Sequence, residues 1–286
     1  MHRIMRTATI ALALSASLAM AQTPANPTAA ATAGQNVEFE MMTWPEMKAA
    51  LASGKTTALF LTGGTEQRGP QNVNGGHTFM AKAMVKAIAV KLGNAIAMPV
   101  LPYTPNNASA QLPGTIGLTN DLLAAILERV SEQAIVTGFK NVVLMGDHGG
   151  GQPNVYRAVA EKLDKKYGVK GVHIYYADDF YEKSRIDFDK WLASQGYPSS
   201  EHAGIPDTST MMYLGGDAWV RKDLVKTAVG DPVLPPGQRP DPNRPRANNG
   251  ITGDARRSSP ELGKMIFDMK IDYAVKQIRA FIPDSR

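Results

Sequence analysis

The sequence predicts an α/β fold, a mainly parallel sheet with helices on both faces, and three observations carry that prediction. Short apolar runs bounded by glycine or proline read as buried strands, and segments with apolar residues three and four apart read as helices. The two kinds alternate along the chain. With 286 residues and 43% apolar composition, the chain can bury a large core. No stretch between 41 and 286 has the composition of a linker, so one domain is expected there.

The first strand is Thr57-Ala-Leu-Phe-Leu-Thr62, ended by Gly63-Gly64. A helix follows over Thr78–Leu92 and stops at Gly93, and a second strand over Ala95–Leu101 ends at Pro102. Thr119 caps a helix over Asn120–Thr137, where Leu123, Ile126, Leu127, Val130 and Ala134 form one stripe before Gly138. Asn141–Gly146 is a third strand, and a helix opens at Pro153 with Val155, Val159 and Leu163 four apart. Gly171–Ala177 is a fourth strand, which places His173 in the core. The last helix, over Pro260–Phe281, carries Leu262, Ile266, Met269 and Ala274. Asp178–Ser200 and the Pro-rich Asp231–Asn249 read as loops that set specificity at an active-site rim.

Residues 1–21 read as a cleaved export signal. Arg3 and Arg6 precede an apolar run from Ala8 to Met20, and Ala19-Met20-Ala21 is a small-x-small cleavage site before Gln22. The run is shorter than the roughly 20 residues a membrane span needs. A periplasmic or secreted protein without stable membrane association is therefore expected, with a flexible Pro/Ala/Thr leader over 22–40. There is no cysteine, so disulfides are excluded and stability must come from core burial, assembly or a metal. Losing Arg3 and Arg6 lowers the formal charge from +5 to +3, too weak a bias for nucleic acid. The Arg239–Arg246 cluster is broken by prolines and holds no aromatic residue, as in a solvated loop.

The chemistry-bearing residues sit in Gly-rich segments after strands one and three: Gly64-Thr65-Glu66-Gln67-Arg68-Gly69-Pro70 with His77, and Gly146-Asp147-His148-Gly149-Gly150. In an α/β sheet ligands bind at the carboxyl ends of strands. Glu66, His77 and His148 are a donor set for one divalent ion with an open position. Plainer roles exist for several of these residues: a turn cap for Glu66, a helix-terminal polar group for His77, an Asx turn for Asp147. His202 and Asp207 could serve chemistry or cap the helix ahead of Met211-Met212-Tyr213-Leu214.

The first of these segments resembles the leading metal motif of the creatininase (creatinine amidohydrolase) family. Four further blocks are similar in the same order: Leu112-Pro-Gly-Thr-Ile116, Gly146–Gly150, His202-Ala203-Gly204 leading to Asp207-Thr208-Ser209, and Gly250-Ile-Thr-Gly-Asp254. The resemblance spans about residues 43–280 and implies a three-layer α/β/α sandwich, a hydrolase of cyclic or linear amides, and a homo-oligomer, by analogy a hexamer. It also implies a two-metal centre, which this chain alters. The motif normally reads Glu-x-His with a bridging Asp eleven positions after the Glu, whereas here Arg68 and His77 stand at those places. Arg is always charged and ligates no cation. One ion, zinc with manganese as the alternative, is therefore expected on Glu66, His77 and His148. Arg68 then becomes an electrophile or substrate clamp, Asp207 or Asp147 the proton acceptor, and His202 the donor to the leaving group. Hydrolysis of a lactone or sugar-derived ring, or simple binding of a small molecule without catalysis, are the alternatives.

Overall fold

The computed structural model describes residues 36–283 except 107, 108, 150, 236, 240 and 244. The expected export signal, most of the leader, and Gly150 lie outside the described residues. Packed structure begins earlier than the expected leader end at 40. Val37 is buried and Glu38 bridges to Ala97, so an apolar side chain and a sheet edge already hold the chain there.

Four strands, β1 (Thr57–Thr62), β2 (Ala95–Ala97), β3 (Asn141–Gly146) and β4 (His173–Tyr176), form one parallel sheet in the order β2-β1-β3-β4. β1 and β3 pair over six residues, from Thr57 against Asn141 to Thr62 against Gly146. The expected second strand is cut to three residues because Pro99 has no N–H to give the ladder, and Leu101 returns only as a bridge to Thr62.

Side chains alternate across the sheet, and each parity meets a different helix layer. Leu59, Leu61, Val143 and Met145 pack with α2 (Gly76–Leu92), α6 (Ile205–Gly215) and α8 (Pro260–Phe281) through Met80, Met84, Ile88, Met211, Ala274 and Ile278. Ala58, Phe60, Val142 and Leu144 pack with α1 (Trp44–Ala52), α3 (Asn120–Thr137) and α4 (Gln152–Tyr167) through Met47, Leu123, Leu127, Val155 and Val159. A three-layer α/β/α arrangement results. Every β1 residue is buried, and a Leu-to-Ala change at Leu59 or Leu61 is worth about 2–5 kcal/mol.

Two expectations change. Asp178–Ser200 is not a loop: it holds α5 (Glu182–Ser194), a polar helix that buries only Ser184, Phe188 and Leu192. So narrow a stripe gives little apolar signal in the sequence. His173 is not core; its side chain stays 43% exposed and pairs with Asp164. A short helix, α7 (Lys222–Val225), follows α6. The described residues of 231–249 lie in no helix or strand, as expected, and Asp231, Arg246 and Asn248 reach the rim of the main cavity.

Because the chain steps from β1 to β2 on one side and returns to β3 on the other, the carboxyl ends of β1 and β3 form a switch point in the sheet. A cavity of about 1510 Å³ opens there.

Candidate metal centre

Glu66 leaves the end of β1 in a loop that other segments hold in place. Ile116 donates its N–H to the Thr65 carbonyl, and Thr115 Oγ1 accepts from the Gln67 N–H at 3.1 Å. Gly250 lies against Gln67 Oε1 so closely that a Cβ there would stand 1.9 Å away. Thr252 donates its N–H to the His202 carbonyl. The Leu112–Ile116 and Gly250–Asp254 blocks therefore act as braces for the loops that carry Glu66 and His202.

Groups converge on one atom, Glu66 Oε1. His77 Nε2 lies 3.1 Å from it, Arg68 Nη1 3.3 Å, His202 Nδ1 3.6 Å and His148 Nδ1 3.9 Å. The second oxygen, Oε2, accepts from Ser109 Oγ at 2.7 Å. Burial disfavours the Glu66 carboxylate, but His77, His148 and Arg68 together hold its carboxyl well below the ordinary range.

His77 lies in the first turn of α2, facing inward. Its Nδ1 bonds Asp147 Oδ2 at 3.0 Å. Burial and Arg68 disfavour the charged ring, yet the bonds to Asp147 and Glu66 prevail and its pKa is raised. His148 behaves oppositely: burial and the nearby His77 push it down to about 3, so its ring is neutral. Its Nε2 is buried without a hydrogen-bond partner, against Gly64, where a Cβ would come within 2.3 Å. Gly146 is required too, since a Cβ there would stand 2.2 Å from the Tyr156 hydroxyl.

The donor atoms of Glu66, His77 and His148 all lie within 4.8 Å of one another, and all three residues are buried. One carboxylate, two imidazoles and an orphaned buried ring nitrogen suit a divalent cation. The sequence-expected set comes together.

Other expected residues are placed differently from their expected roles. Arg68 has no exposed surface, so it is not a substrate clamp. Its Nη2 sits 2.7 Å from Asp207 Oδ1 while Nη1 faces Glu66, and it reaches the cavity only through these carboxylates. Asp147 is engaged by His77 at Oδ2 and by Lys270 at Oδ1, and its side chain is only 1% exposed, so it is shut away from water as a proton acceptor. His202 Nε2 lies 2.8 Å from the Gln67 carbonyl, which assigns its proton to that bond rather than to a leaving group. Asp207 both caps and faces the site: Oδ2 accepts from the Ala203 N–H at 2.9 Å, and the side chain is 21% exposed to the cavity. Ala203 is held at φ 55°, a left-handed conformation uncommon for a residue with a side chain.

Ser109 and Lys270 were missed from the sequence. Ser109 has no surrounding motif. Lys270 had one signal, since it falls four residues after Ile266 and eight after Leu262, on the stripe that faces inward.

The sequence profile of the creatinine amidohydrolase family matches residues 40–278. The chain belongs to the creatininase family. Among solved structures, a mutant creatininase superposes with a TM-score of 0.71 at 23% identity, covering 87% of this chain and 100% of that one. A manganese form of creatininase does so with the same score at 24% identity, over 87% and 99%. At such identities these likenesses speak for the fold. Among curated proteins, 3-dehydro-scyllo-inosose hydrolase of Thermotoga maritima is 29% identical over 141 residues, 48% of this chain and 43% of that protein. The match thus spans under half the length of that relative.

Proposed function

We propose that this creatininase-family chain is a hydrolase of C–N bonds in cyclic or linear amides that works with one divalent ion, zinc or manganese, held by Glu66, His77 and His148. The observation that carries the reading is the guanidinium of Arg68, wedged between Glu66 and Asp207 beside that donor set. Glu66, Asp147 and Asp207 bring three negative charges, and Arg68 and Lys270 return two positive ones. With neutral imidazoles the centre carries one net negative charge. A single dication leaves +1 and a second would leave +3, in a buried site where excess charge is costly.

What a divalent ion would supply when bound there is Lewis acidity towards a carbonyl and a water made far more acidic than in bulk, towards a pKa of ~7. The chain's own groups handle the proton. Burial opposes ionisation of Asp207, but Arg68 outweighs it and keeps the carboxyl below its ordinary range. Asp207 is then an anionic acceptor on the cavity wall that takes the water's proton and returns it to the leaving nitrogen. Arg68 keeps Asp207 and Glu66 in place, and Ser109 fixes the second oxygen of Glu66.

A second reading, hydrolysis of a lactone or sugar-derived ring, draws on the cavity wall. Asn106, Gln111, Arg185, Asp189 and Glu201 suit a ligand with many hydroxyls, and the curated relative is named for a cyclic polyol ketone. Metal analysis of the purified protein, followed by assays of amide, lactone and inosose-type rings before and after chelation, separates these readings. About one ion per chain and chelator-sensitive C–N cleavage are expected; an active protein with no ion overturns the proposal, and an ion-free inactive one supports a binding role. Assembly into a homo-oligomer, a hexamer by family analogy, belongs to the same proposal, and light scattering that finds only the monomer mass counts against it.

A further inference from the structure

Lys270 projects from α8 with only 12% of its side chain exposed, its ammonium bonded to Asp147 Oδ1. It also stands over the rings of Phe180 and Tyr181, 5.5 and 5.7 Å from their centroids. The other oxygen of Asp147 meets His77 Nδ1 at 3.0 Å, and His77 Nε2 stands 3.1 Å from Glu66 Oε1. Ammonium, carboxylate, imidazole and carboxylate thus form one line. It crosses α8, the loop after β3, α2 and the loop after β1.

A carboxylate bonded through one oxygen can pivot about its own axis. Bonded through both, it offers the imidazole one fixed acceptor direction, which sets the ring plane and decides which nitrogen carries the proton. The Asp147 side chain is 1% exposed, so with the ammonium in place no water competes for its oxygens.

We propose that Lys270 is a positioning residue for the metal centre, locking Asp147 so that His77 keeps its proton on Nδ1 and turns Nε2 towards the ion. This rests on the reading of Glu66, His77 and His148 as ligands. The rival is a structural ion pair that merely fastens α8 to the sheet. The helix does not depend on such a fastening, because Leu262, Ile266, Ile271, Ala274, Val275 and Ile278 bury its inner face. A lysine in that stripe is expensive to bury unless its charge has a task at the far end.

Lys270→Met keeps the apolar stem and removes the ammonium. Zn(II) alone is the probe, its Kd read by competition with a chromophoric chelator. Histidine tautomers are read by long-range ¹⁵N correlation on the zinc-loaded full chain. The substitution is expected to weaken zinc ~10- to 100-fold, the range for loss of a group that orients a ligand. The His77 signature, Nδ1 protonated and Nε2 on zinc, should give way to mixed forms. A Kd within about two-fold of the parent, with the signature intact, overturns the proposal even where the variant melts earlier. Should Lys270→Met not fold, Lys270→Gln is read in the same way, and His77 bound through Nδ1 in the unmodified protein overturns the inference outright. An unmodified protein that takes up no zinc removes the metal reading and this inference with it. Normal zinc uptake with an unaffected variant removes this inference alone.

Discussion

Arg68 Nη2 and Asp207 Oδ1 lie 2.7 Å apart, the guanidinium fully buried and the carboxylate on the cavity wall. A permanent cation is thereby built into the protein where a relative of the ordinary motif would carry a histidine ligand. Removing it as Arg68→Met leaves Asp207 without its buried counter-charge. A loss of about 3–5 kcal/mol of stability is expected, seen as an earlier denaturant midpoint. Arg68→His alone should add a second ion only weakly, since no bridging carboxylate is present. Arg68→His with His77→Asp should raise ion content towards two per chain by elemental analysis. Two ions in the unmodified protein would refute the single-ion account.

Gly64 gives His148 its room. Gly64→Ala places a Cβ 2.3 Å from His148 Nε2, so the ring must swing away. Ion affinity should fall ~10-fold or more, while the fold survives at a cost of about 1–3 kcal/mol. His148→Ala, in the loop beyond β3, should abolish ion content and hydrolysis with little change in circular dichroism. Full activity in His148→Ala would exclude it as a ligand.

Asp189, on the cavity-facing side of α5, has its pKa pushed up to about 6 by burial; Arg185 opposes this, and Glu201 and Asp207 add to it. The folded value lies above the ordinary 3.8, so the native state binds the proton more readily than the unfolded chain does. Asp189 therefore costs stability above pH 6, and the cost fades as pH falls from 6 towards 3.8. Asp189→Asn should raise the urea midpoint at pH 8, and the gain should shrink by pH 4. Its side chain is 35% exposed, so solvent screening keeps the effect small. Equal midpoints for the two proteins at pH 8 would count against it.

Export predicts a mature chain beginning at or near Gln22, recovered from the periplasm or medium. Mass spectrometry that finds Met1 on the folded, membrane-free protein would remove the signal from the account. No helix among the described residues is long and apolar enough to cross a membrane.

Much of the fold was legible because β1 and β3 are uninterrupted apolar runs ended by glycine, and α3 and α8 carry both cap and stripe. α5 was not, because its buried face is three residues among charged neighbours. At the site, Glu66, His77 and His148 announced themselves by residue type in Gly-rich loops. Their partners did not, for a physical reason. Ser109 is 43 positions from Glu66 and Lys270 is 123 from Asp147, and nothing local in a chain marks which distant polar group will meet which. The orientation of Arg68 was likewise invisible: a charge in a loop says nothing of whether it points into solvent or inward between two carboxylates.

The level pairing of β1 with β3 has a consequence for where the centre gets its rigidity. Glu66 follows Thr62 by four residues and His148 follows Gly146 by two, so both depart from the same height of one ladder. A register slip of two residues would carry one past the other by about 6.6 Å, farther than any ligand pair tolerates. The spacing of the donors is thus a ruler cut into the sheet interior, not a property of the loops that display them. Amides of 58–61 and 142–145 should accordingly exchange with solvent only when the whole sheet opens, with or without an ion. An apo protein would then keep its donors spaced for capture instead of gathering them around an arriving ion.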